Sequence, residues 1–87
     1  VSVVVPIYNV ERYLHECLDS LAHQTLRDIE VVMVDDGSTD GSAQIAASFA
    51  EGDPRFRLVR QENGGLGHAR NTGTQHARGR YLAFVDS

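Results

Sequence analysis

The opening run Val1-Ser2-Val3-Val4-Val5-Pro6 is apolar on both faces that a strand presents, so it belongs inside a sheet covered on both sides. Beyond Asn9 the hydrophobic period changes. Val10, Tyr13, Leu14, Cys17, Leu18, Leu21 and Ala22 recur three and four apart, which predicts a helix of about three to four turns. Asn9 is placed as its N-cap. After a polar connection from Gln24 to Asp28, Glu30 to Asp35 returns to β-branched strand chemistry.

Gly37-Ser38-Thr39-Asp40-Gly41 is turn and capping chemistry. It opens a predicted second helix from about Ser42 to Ala50, with Ile45, Ala46, Phe49 and Ala50 inward and Gly52-Asp53-Pro54 as its stop. Phe56 to Arg60 reads as a third strand and Glu62 to Gly67 as a glycine-rich loop. A third helix from about Leu66 to Arg78 sets Leu66, Ala69, Gly73 and Ala77 on one side, and Gly79 breaks it. Tyr81 to Val85 is a fourth strand. The order βαβαβαβ predicts an α/β fold of three layers: a four-stranded, mainly parallel sheet with helices on both faces. No linker or repeat divides the chain, so residues 1–87 form one domain.

Composition narrows the chemistry. The 41% hydrophobic and 23% charged content is that of an ordinary globular domain, with no apolar run near the roughly 18 residues of a membrane span. No export signal is visible. A net charge of −4 argues against nucleic acid as a partner. All 8 basic residues are arginines, and the absence of lysine excludes a Walker A phosphate loop, a Schiff-base enzyme and the phosphoacceptor site of a receiver domain. Arginine still permits bidentate recognition of a diphosphate. Cys17, the lone cysteine, sits on the helical stripe as core filler. His15, His23, His68 and His76 have no metal-ligand spacing.

Parallel sheets bind ligands beyond the carboxyl ends of their strands. There the sequence places Pro6, Tyr8, Asn9 and Glu11 after strand one, Asp35 and Asp36 after strand two, Glu62 and Asn63 after strand three, and Asp86 after strand four. Adjacent acids on a strand point to opposite faces, so Asp35 and Asp36 should do different work. Asp35 suits bracing the turn, and Asp36 suits accepting from a base N–H or a ribose hydroxyl. Tyr8 suits stacking on a pyrimidine. Asp86 suits Mg²⁺ or Mn²⁺ shared with substrate phosphates. Gly64 to Asn71 combines a loop with a helix N-terminus, where Arg70 offers a fork to phosphate oxygens. Without a glycine fingerprint after strand one, a non-catalytic Rossmann-like nucleotide-binding module is the weaker alternative.

Four ordered pieces, V-S-V-V-V-P-I-Y-N, V-V-M-V-D-D-G-S-T-D, E-N-G-G-L-G-H-A-R-N and G-R-Y-L-A-F-V-D-S, resemble family 2 glycosyltransferases over the whole chain. The resemblance implies a GT-A fold and an enzyme that transfers a sugar, with inversion, from a nucleoside-diphosphate-sugar donor. UDP is the family default. The acceptor would be a glycan, lipid or cell-wall polymer, as in bacterial envelope polysaccharide synthesis.

Matching motif positions place Pro6, Tyr8 and Glu11 around the base, Asp36 on base or ribose, and Arg70 near the nucleotide. Asp86 falls near ribose and a divalent ion. The resemblance further implies that the chain is the nucleotide-binding part alone. The general base and the last Asp of the metal motif would lie beyond Ser87, leaving these residues without turnover. It also implies a cytoplasmic site, at the inner face of the membrane in the parent protein. Cut there, strand four would leave an exposed edge through which copies could associate.

Overall fold

The computed structural model describes residues 1–23, 29–78 and 82–85. Within them the chain runs β1 (Ser2–Ile7), α1 (Glu11–Ala22), β2 (Glu30–Asp36), α2 (Ser42–Gly52), β3 (Phe56–Gln61), α3 (Leu66–His76) and β4 (Leu82–Phe84). The strands form one sheet in the order β3-β2-β1-β4, and every pairing is parallel. The predicted connection Gln24 to Asp28, the break at Gly79, Tyr81 and Asp86 lie outside the described residues.

Strand pleat sorts the β1 and β2 side chains into two cores. Val3, Val5, Ile7, Val31 and Met33 face α1 and α2, where Leu14, Leu18, Ala46 and Phe56 complete the larger cluster. Full burial of Leu14 and Leu18 contributes about 2 kcal/mol each. On the other face Val4, Val32 and Val34 meet Ala69 of α3. Gly73 lets this helix lie close, since a Cβ there would collide with Cγ1 of Val4.

Pro6 is buried in a central strand, and the N–H it lacks costs a ladder bond on the side of β4. The Val4 carbonyl accepts from Val85 N–H on the β4 side, and Pro6, two residues on, faces that same side. The described β4 register reaches only Val4.

Several boundaries differ from expectation. Asn9 does not cap α1: its φ of 50° departs from the extended geometry an N-cap needs, and the cap position is Val10. Tyr13 is 62% exposed rather than inward, with the Arg12 guanidinium 5.9 Å from its ring centroid. Strands β2 and β3 each run one residue further because Asp36 and Gln61 pair in register. Helix α3 stops at His76, where the Arg57 guanidinium donates to the His76 carbonyl at 3.1 Å and to Glu30 at 3.3 Å. Arg55 likewise donates to the Ala22 carbonyl at the end of α1, at 2.8 Å. The amino-end rim of the sheet thus spends its arginines on helix C-termini. Cys17 is half-buried, which pushes its thiol pKa up.

Candidate functional site

The order in which strands are added reverses at β1: β1, β2 and β3 progress one way across the sheet, and β4 lies on the far side of β1. Such a switch point opens a crevice at the carboxyl ends of its strands. At that rim Tyr8 leaves β1 with 49% of its surface exposed, beside the buried carboxylates that end β2.

Asp35 and Asp36 face opposite sides of the sheet, as strand alternation requires. Asp35 points to the α1–α2 side, where its Oδ1 accepts from Ser38 N–H at 3.3 Å and braces the turn. Arg60 approaches its Oδ2 at 3.7 Å, a contact weakened by the exposure of the arginine. Asp36 points to the α3 side. It accepts from Gln61 Nε2 at 2.8 Å and from Gly64 and Gly65 N–H at 2.9 Å each. Burial pushes its pKa up, but the Gln61 amide, the two glycine N–H groups and the His68 charge outweigh that and hold it below the ordinary value of 3.8. Thr72 donates to Gln61 Oε1 at 2.5 Å, so the carboxylate joins β2, β3 and α3. Gly37 is required here: its φ is +76°, and a Cβ would sit 2.8 Å from Asn63 N.

A second network locks the β1–α1 turn to the β2–α2 turn. Asn9 N–H donates to Ser38 Oγ at 3.1 Å, Val10 N–H to Ser42 Oγ at 3.0 Å and Glu11 N–H to Asp40 Oδ2 at 3.2 Å. In return Thr39 N–H donates to Asn9 Oδ1 at 2.8 Å and Gly41 N–H to Glu11 Oε2 at 3.0 Å. The Ser42 hydroxyl lowers the Asp40 pKa, burial opposes it, and the Ser42 and Glu11 N–H groups lower it further.

The candidates thus fall into distinct places. Tyr8 is open at the rim, Pro6 is buried below it, and Asn9 and Glu11 hold the neighbouring turn. Arg70 stands half-buried on the second turn of α3. Asp40, Ser42, Gln61 and Thr72 were not anticipated. Asp40-Gly41-Ser42 does carry a local signal, with Ser42 N–H donating to Asp40 Oδ1 at 2.9 Å, but its reach to α1 leaves no trace in spacing. Among the described residues no group of three His, Cys, Asp or Glu side chains is placed to hold a metal ion. Asp35 and Asp36 are committed to backbone and side-chain donors and do not fit one.

The family model described as glycosyl transferase family 2 matches residues 2–87. This chain belongs to that family. It is 55% identical over 86 residues to the uncharacterized glycosyltransferase EpsJ of Bacillus subtilis (strain 168), covering 99% of this chain and 25% of that protein. Among solved structures, S. aureus TarS in complex with UDP-GlcNAc superposes with a TM-score of 0.87 at 40% identity, over 98% of this chain and 25% of that one. The mannosyltransferase PcManGT from Pyrobaculum calidifontis, in complex with GDP-Man and Mn²⁺, gives 0.83 at 38% identity over 98% and 26%. The family 2 chain therefore spans about a quarter of the length of these relatives. The GT-A expectation agrees with these neighbours.

Proposed function

We propose that residues 1–87 form the nucleotide end of the donor site in a glycosyltransferase that moves a sugar from a nucleoside-diphosphate-sugar, UDP-linked in the first instance, to a glycan, lipid or cell-wall polymer. The observation that carries this is Tyr8, an exposed aromatic at the switch-point rim beside a buried carboxylate pair. Its ring offers a face to a base. Asp36 accepts three N–H bonds, and a carboxylate has about four acceptor sites, which leaves one for a base N–H or ribose hydroxyl. Arg70 adds positive charge on α3 toward the diphosphate.

In the reaction an acceptor hydroxyl oxygen bonds to the anomeric carbon while the bond to the diphosphate breaks. The hydroxyl proton needs a base, and we assign it outside this chain, since Asp35 and Asp36, the carboxylates that end β2, are held by donors. Without that base the chain binds donor and does not turn over. Support for a divalent ion comes from Asp86 in the sequence, which would help to hold it, and from the Mn²⁺ in the complex of the relative PcManGT. Nucleotide-sugar supply favours the cytoplasmic side for this work. Among the described residues no helix is long and apolar enough to cross a membrane.

Titration of the folded chain with UDP in Mg²⁺ buffer, followed by nuclear magnetic resonance, is expected to give saturable shifts centred on Tyr8. Loss of one stacked base is worth about 1–3 kcal/mol, so Tyr8→Ala should weaken UDP by about 5- to 150-fold. A folded sample that binds neither UDP nor GDP would end the donor-site reading. The same proposal includes self-association along the outer edge of β4, which has one strand neighbour among the described residues. Sedimentation should then show a concentration-dependent shift to dimer, and a monomer at every concentration would remove it.

A further inference from the structure

The reciprocal bonds between the two turns have a direction: each loop's side chains cap the other loop's helix. The N–H groups of Val10 and Glu11 at the start of α1 go to Ser42 Oγ and Asp40 Oδ2, from the start of α2. The Gly41 N–H at the start of α2 goes to Glu11 Oε2, from the start of α1. The partners are distant in sequence, and most of the bonds are exposed, where water would satisfy the same donors. Their effect is therefore on geometry more than on stability. They fix the turn that begins at Tyr8, in which Asn9 holds a φ of 50°. The fit is close: a Cβ on Gly41 would overlap Glu11 Oε2, the free end of a flexible side chain.

We propose that Glu11 and Asp40 are positioning residues rather than nucleotide ligands: together they clasp the β1–α1 turn to the β2–α2 turn and so hold the Tyr8 ring in the attitude that receives the base. This rests on the donor-site reading above. It reassigns Glu11, which motif resemblance puts at the base, and gives a role to Asp40. The Glu11 carboxylate already accepts from the neighbouring helix, and Asp40 spends one oxygen on Ser42 N–H and the other on Glu11 N–H.

Three substitutions open or keep the clasp without altering Tyr8. D40N retains shape but turns an amide donor or a single acceptor toward two N–H groups that need acceptors. G41A drives the Glu11 carboxylate away while leaving every charge in place. E11Q keeps an acceptor for Gly41 N–H. A turn that spends only part of its time in the competent form raises the apparent Kd by the reciprocal of that fraction.

UDP affinity by calorimetry, below the melting temperature of each variant, is expected to fall by about 3- to 10-fold in D40N and in G41A. The double variant should lie close to either single one, because the clasp opens once. E11Q should bind UDP within about twofold of the unsubstituted chain, and amide exchange at Val10 and Glu11 should quicken in D40N and G41A alone. Unchanged UDP affinity in folded D40N and G41A would overturn the proposal. So would loss of binding in E11Q with D40N unaffected, since that makes Glu11 a direct ligand. An unsubstituted chain that binds no nucleotide removes the donor-site reading itself, and the clasp's role with it. If D40N does not fold, G41A carries the test, because its added methyl meets only a movable side chain.

Discussion

Asp36→Ala is expected to cost this chain about 3 kcal/mol of stability, with UDP affinity falling alongside it. The carboxylate is buried and accepts from Gln61, Gly64 and Gly65. Hydrogen bonds to a charged group are each worth about 1.5–3 kcal/mol, but the two glycines are exposed and water recovers part of their loss. That discount brings the sum down to the figure given. Asp36→Asn, which keeps one acceptor, should lose about half as much.

Acid should reveal the same group. Its folded pKa lies below the ordinary carboxylate value, so its contribution is complete at neutral pH and drains away as the pH falls through that depressed value. In urea denaturation the gap between the unsubstituted chain and Asp36→Asn should therefore close below about pH 4. A gap that stays constant into acid, or an Asp36→Ala variant as stable as its parent, would mean that the glycine loop is not held by this carboxylate.

The other large effect lies further along α3, where the helix packs on β1. Glycine inside a helix ordinarily costs about 1 kcal/mol relative to alanine, so Gly73→Ala would stabilise an open helix. Here the new Cβ meets Cγ1 of Val4 and comes within 3.1 Å of its Cγ2. Val4 is fully buried in the central strand, and its β-branched side chain has little freedom to turn away. Overpacking of this kind costs about 1–3 kcal/mol. Gly73→Ala should then destabilise by about 1 kcal/mol net, and Gly73→Val by about 3 kcal/mol. In a Val4→Ala background, where the obstruction is gone, Gly73→Ala should become neutral or favourable. Chemical denaturation of the four combinations measures that coupling, and additive effects would mean that helix and strand are not in contact there.

The elements were legible because their signals are local. Val3 to Val5 and Val31 to Val34 declare buried strands by composition, and Ala46 or Leu18 declare inner faces by spacing. The opposed directions of Asp35 and Asp36 follow from strand alternation alone. Tyr13 was misread because the helical stripe is broader than the surface available to cover it, and a position at its margin turns to solvent. The end of α3 escaped detection because Arg57, from another strand, supplies its cap.

The clasp was hidden for a related reason. Asn9 and Glu11 find their partners at Ser38 to Asp40 and Gly41, and sequence alone sets no register between two loops. For Asp36 the side of the sheet could be foreseen, but not that the glycine loop folds back onto it. Asp86, the residue on which a metal reading depends, lies outside the described residues.

Helix α3 is gripped three times along its length. Asp36 holds the backbone that leads into it, Val4 nests against Gly73 at its middle, and Arg57 takes the carbonyl of its last residue. A rod pinned at both ends and notched at its centre has no travel along its own axis. Sliding would break charged bonds at opposite rims of the sheet together. Any response of this wall to an arriving ligand is therefore confined to its side chains, and the wall serves as a fixed reference against which the other side of the crevice is measured.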